Sequence, residues 1–251
     1  MGPHILRTQA MKPQFRSAAF ALMTLTGLSA QAYEFNAISN LNQDEFRRLS
    51  EDFSSAMSYK AIIPAENMGL TGFDISATAG GTKLENRGVI KKAAAGASVP
   101  SVLPTAAIRV HKGLPLNLNV GASYTTVPGT GLGAIGGELR WAFMPGSTLM
   151  PAVAARLALS QTMGLDQLKL RSTSYDISIS KGFTLLTPYA GIGYVQSRVS
   201  APESPALESE KVGQTKYFAG LNMNLGLMNL GLEGDRTGKA NSYTLKLGVR
   251  F

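Results

Sequence analysis

Cysteine is absent from all 251 residues. No disulfide framework and no thiolate metal site can exist. Long apolar runs are absent too: no stretch reaches the roughly 18 residues that a membrane-spanning helix needs. Charge is scarce, at 16% of residues against about 25% in soluble domains. Histidine is nearly missing; of two in the chain, only His111 lies beyond residue 32. One histidine and no cysteine leave only carboxylates as metal ligands, so no metal site and no cofactor are expected. The formal charge of +8 is spread singly, without Lys/Arg runs interleaved with aromatics, which argues against a nucleic-acid surface.

The front of the chain has the layout of a secretory signal peptide over residues 1–32. Lys12 and Arg16 supply a basic start, and Ser17 to Leu28 form a short apolar run. Ala30-Gln31-Ala32 gives a small-x-small cleavage pattern before Tyr33. Residues 1–10 read as an upstream start extension. Arg7, Lys12 and Arg16 leave with this segment, so the remainder carries +5.

Residues 33–66 form an N-terminal segment with one amphipathic helix. Asn40 or Asn42 can cap it, and Asp44 and Glu45 suit its first turn. Phe46, Leu49, Phe53 and Met57 recur at three and four, giving an apolar stripe from about Gln43 to Tyr59, with Pro64 as the stop. The expected place is the periplasmic mouth of the domain that follows, either as a plug or packed against its end.

From residue 67 onward the period changes to two. Phe73, Ile75, Ala77 and Ala79 alternate with Asp74, Ser76, Thr78 and Gly80, and nine further segments alternate likewise. Short connections at 112–115, 144–148, 181–186 and 228–229 face longer loops at 85–104 and 200–213. Ten antiparallel strands, short turns at one end and loops at the other, is the pattern of an all-β, up-and-down transmembrane barrel over 67–251. An even count puts both termini on the short-turn side. Leu168 to Arg171 run in opposite phase to the rest of their strand, which reads as a bulge or as strand beyond the membrane.

The last strand carries Tyr243, Leu245, Leu247, Val249 and Phe251 on one face. It resembles the C-terminal strand of bacterial outer-membrane β-barrels. That resemblance implies an assembly signal read by the barrel-assembly machinery. Thr187 to Tyr194 resembles a phrase of small barrels of the OmpA/OmpW-like class. The resemblance implies the outer membrane of a Gram-negative bacterium, with outer-membrane lipids and lipopolysaccharide as surroundings. Oligomeric state stays open.

Alternation alone does not say which face is inside. The polar faces are rich in Gly, Ser, Thr, Ala and Asn, and Tyr124, Trp141, Phe143, Tyr175, Tyr194 and Tyr217 lie toward strand ends on the apolar face. Both favour an apolar exterior. The lumen then holds Arg109, Arg140, Arg156, Lys216, Lys246 and Arg250 against Asp74, Glu138, Asp176, Glu233 and Asp235. A near-balanced set reads as an internal salt-bridge network, since small barrels are filled by their own side chains. The expected function is a structural or interaction role at the cell surface. The alternatives are a narrow channel for small or hydrophobic solutes and a soluble periplasmic barrel. No catalytic residue is expected. Gly131, Gly133 and Gly136 match a dinucleotide fingerprint but continue into a strand, and Ser178 to Lys181 matches S-x-x-K without its companions.

Overall fold

The computed structural model describes residues 37–97 and 99–251; the signal peptide expected over 1–32 lies outside the described residues. Ten strands form a closed antiparallel barrel. They are β1 (Phe73–Lys83), β2 (Val102–Gly113), β3 (Leu118–Thr126), β4 (Gly133–Met144), β5 (Ala152–Met163), β6 (Lys169–Ser180), β7 (Leu186–Ser200), β8 (Glu210–Leu225), β9 (Met228–Thr237) and β10 (Ala240–Arg250). Each pairs with its sequence neighbours, and β1 meets β10 from Asp74↔Arg250 to Thr82↔Ser242. Phe73 and Phe251 exchange main-chain hydrogen bonds at 2.6 and 3.0 Å, and their rings stack with centroids 5.9 Å apart. Closure leaves no row of unpaired main-chain groups, a condition for backbone to lie in hydrocarbon.

The barrel is apolar outside and polar within. Ile177, Leu159 and Leu245 are 55%, 56% and 61% exposed on the outer wall, whereas Asp74, Glu233 and Lys246 are buried inside. A continuous apolar exterior of this extent has no place on a water-soluble monomer. With a closed, even-stranded sheet it is the architecture of outer-membrane barrels.

Connections 114–117, 145–151, 181–185 and 226–227 lie at one end. The other end carries 84–101, 127–132, 164–168, 201–209 and the tight turn 238–239. The sheet extends further than periodicity indicated: β8 starts at Glu210, and β9 and β10 join through two residues. The loop after β1 holds a short helix, α2 (Arg87–Ala93). No bulge occurs at Leu168–Arg171; β6 is regular there, and the register shift lies between Trp141 and Met144.

Helix α1 (Gln43–Met57) begins with a capping box. The Glu45 N–H donates to Asn42 Oδ1, and the Asn42 N–H donates to Glu45 Oε2, both at 2.9 Å. It ends at Met57, well before Pro64. Ser58 is already extended, and residues 58–65 continue as a buried segment without helix or strand.

Candidate functional site: the plugged lumen

The helix does not lie at the short-turn mouth. Its apolar stripe, Phe46, Leu49, Phe53 and Met57, packs with Leu84, Ile90, Val99, Val127, Leu132, Leu168, Leu170 and Val199. Every one of those partners belongs to the loop end of the barrel. The physical reason is pattern inversion: at that end several strands turn apolar residues inward, so only there does the lumen offer an apolar seat. Leu168 and Leu170 are 0% and 1% exposed, which explains their reversed phase.

Polar contacts fix the helix around the rim. Ser54 Oγ and Ser197 Oγ lie 2.6 Å apart, and Ser55 Oγ donates to the Thr237 carbonyl at 3.0 Å. The Asn86 N–H donates to Asp52 at 2.7 Å. Lys92 pairs with Glu45 at 2.7 Å and Arg47 with Glu210 at 3.6 Å. Burial raises the Asp52 carboxyl above its usual range, opposed by the main-chain hydrogen bonds it accepts. The hydrogen bond from Lys92 holds the Glu45 carboxyl below the usual range. Under the helix lies an apolar cavity lined by residues such as Leu49, Phe53, Val127 and Leu132.

Residues 58–65 then run down the lumen. Lys60 Nζ meets Asp235 Oδ2 at 2.7 Å and Ser242 Oγ at 3.2 Å. Lys216 Nζ donates to the Tyr59 carbonyl at 3.2 Å. Arg140 donates to the carbonyls of Pro64 and Glu66, and the Arg109 guanidinium sits 5.6 Å from the Tyr59 ring centre. Gly136 makes room for that ring: a Cβ there would lie 2.7 Å from Tyr59 Cδ2. The segment leaves at the short-turn end, where the Met68 N–H donates to Asn119 Oδ1 at 3.1 Å. The chain thus passes through its own barrel before β1 begins.

The wall carries its own pairs. Arg156 donates to Asp176 Oδ2 through Nε and Nη2 at 2.8 and 2.7 Å, and to Glu138 at 3.4 Å. Lys246 meets Asp74 at 2.7 Å. The Tyr189 hydroxyl donates to Glu233 at 2.9 Å. His111 is buried between Asp74 and Glu138, 3.9 and 3.6 Å away. The structure therefore joins Arg156, Asp176 and Glu138, and separately Lys246 and Asp74. Arg109, Arg140, Lys216 and Arg250 face no carboxylate within ion-pair distance among the described residues. Arg140 and Lys216 serve carbonyls of the threaded segment instead.

Sequence reasoning missed Lys60, the partner of Asp235. A signal was available: a lone cation leading the apolar run Ala61-Ile62-Ile63 is a charge that burial obliges to find a partner. Tyr243, Leu245, Val249 and Phe251 stand exposed on the outer face, with Leu247 partly covered.

No protein-family model matches the chain, and no curated protein matches it. Solved structures resemble it in shape. One is a KdgM porin in complex with disordered oligogalacturonate, at 6% identity and a TM-score of 0.40, covering 71% of this chain and 99% of that one. The N-terminal β-barrel domain of Pseudomonas aeruginosa OprF matches at 14% and 0.34, covering 71% and 97%. The β domain of the Bordetella autotransporter BrkA matches at 13% and 0.40, covering 72% and 99%. At these identities and scores the likeness is one of barrel architecture alone.

Proposed function

We propose that the protein is an integral outer-membrane barrel whose lumen is closed by its own N-terminal segment, with a structural or interaction role at the cell surface. The observation that carries this reading is the burial of residues 58–65 along the lumen, with Tyr59 and Pro64 carbonyls held by Lys216 and Arg140. Short turns belong on the periplasmic side of such barrels and longer loops outside. On that orientation helix α1 fills the surface mouth, and Ser39, Asn40 and Asn42 before it are exposed at the cell surface. The lumen ion pairs then serve to hold wall and plug together. His111 is 1% exposed, without a path for substrate, which supports a non-enzymatic role.

A narrow channel is the second reading. It is favoured by the wall behind the plug, where Arg109, Arg140 and Lys216 lack carboxylate partners and would line a weakly anion-selective path if residues 58–65 withdrew. Conductance in planar bilayers separates the two. The full protein is expected to give no steady single-channel current, and Lys60→Ala to give brief openings. A steady current from the unaltered protein would favour the channel.

A further inference from the structure

Three cations stand side by side on the outer wall. Arg171 of β6 is registered opposite Arg198 of β7, and Arg198 opposite Lys211 of β8. All three are exposed. Neighbouring strands lie about 4.8 Å apart, so the row spans about 10 Å. Like charges directly opposite one another across a sheet are destabilising, and none of the three forms an ion pair among the described residues, although Asp166, Glu203 and Glu208 stand exposed in the loops beyond them. Every acid of the ten strands (Asp74, Glu138, Asp176, Glu210, Glu233, Asp235) is buried on the inner face. The ion pairs at this end of the barrel belong to the plug, Arg47 with Glu210 and Lys92 with Glu45.

What lies beneath the row is ordered by depth. Thr173 and Gln196 come next, then the Tyr175 and Tyr194 rings with centroids 5.9 Å apart, then Ile177 beside Ile192. Tyr175 lies four positions after Arg171. At about 3.3 Å per residue and a strand tilt near 40°, the cations sit about 10 Å beyond the aromatic level. That is a head-group position above an apolar wall. The feature is confined to one side: on the seam side, β1 presents Lys83 as its single outward charge at this end.

We propose that Arg171, Arg198 and Lys211 bind the phosphorylated head group of an outer-leaflet lipopolysaccharide, with acyl chains lying along Tyr175, Tyr194, Ile177 and Ile192. Guanidinium forks match phosphate oxygens two at a time, and an amphiphile satisfies the cation row and the apolar strip together. The inference rests on the membrane and orientation proposed above. It does not depend on whether the lumen conducts.

The test uses the full protein in phosphatidylcholine nanodiscs, with retained lipid measured on adding lipopolysaccharide, its dephosphorylated form, or inorganic phosphate. The variants are R171Q/R198Q/K211Q and the control K83Q. Each cation near an anionic surface is worth about fivefold in partitioning, so removing three predicts about a hundredfold loss of lipopolysaccharide affinity. K83Q should bind like the parent, and heat-modifiable gel mobility should report an intact barrel for all. Equal binding by the triple variant, or no preference for the phosphorylated lipid, overturns the proposal. Displacement by equimolar inorganic phosphate also overturns it, because the site would then recognise a small anion. A steady current in bilayers with lipid retention unchanged would count against the closed lumen alone.

Discussion

The lumen and the outer wall are two faces of one sheet, and they treat charge in opposite ways. Inside, Arg156 is clamped to Asp176 and Glu138, Lys246 to Asp74, and Lys60 reaches across to Asp235. Outside, the strands carry no acid at all; Lys83, Arg171, Arg198, Lys211 and Arg236 stand exposed at the loop end. A buried charge must find its counter-charge within the fold, whereas a charge at the rim can leave that task to the surroundings. The inner set therefore belongs to stability and closure, and the outer set to what the barrel meets.

Substitutions should separate the two faces by magnitude. Asp176→Ala removes the two short hydrogen bonds of the buried Arg156 guanidinium and leaves it Glu138 alone at 3.4 Å, and should cost about 3 kcal/mol, seen as a lower temperature for the heat-modifiable gel shift; R171Q/R198Q/K211Q, which relieves like-charge repulsion, should not lower that temperature. Next comes Ile177→Arg, which puts a cation on the apolar band. It should cost about 2–4 kcal/mol in a bilayer, although Arg171 sits on the same face of the same strand without harm. Equal costs at positions 171 and 177 would mean that depth does not matter on this wall.

Gly136→Ala should cost about 1–3 kcal/mol by overpacking, because the new methyl group meets the Tyr59 ring. Tyr59→Ala in the same background should recover part of the loss, and full independence of the two changes would place Tyr59 elsewhere. The smallest effect concerns pH. Glu45 has its carboxyl held below the ordinary range by Lys92. A depressed carboxylate stabilises the folded state above its unfolded value, and that contribution is lost as pH falls through the folded one. Helix α1 should therefore loosen slightly below about pH 4, seen as faster amide exchange over residues 43–50, and Glu45→Gln should abolish this dependence.

The barrel was largely legible because a strand writes its environment into alternate residues. Ten strands, and the division of each into an apolar face and a polar face that carries Asp74, Arg156 and Lys246, follow from period two; that the apolar face is the outer one came from the composition of the polar faces and the placing of the aromatics. The plug was legible only as an element. An apolar stripe such as Phe46, Leu49 and Phe53 shows that a helix packs on something, and either mouth satisfies it. The deciding signal lay more than a hundred residues away, in the inverted phase at Leu168–Arg171, which marks an apolar seat inside the barrel's loop end. The short helix α2 escaped notice because seven residues with Gly88 among them form a helix through packing and not through propensity.

The threading of the chain through its own lumen is tested most directly by cysteine accessibility, since the chain contains no native cysteine. Ser39→Cys, at the exposed start of the plug, and Thr148→Cys, in the exposed turn at the opposite end, would each be treated with a membrane-impermeant maleimide on intact cells. Labelling of position 39 on intact cells, with position 148 labelled only after the outer membrane is opened, is the expected result. Labelling of both positions only after opening would contradict the account, because it would put the plug and the short turns on the same side of the membrane.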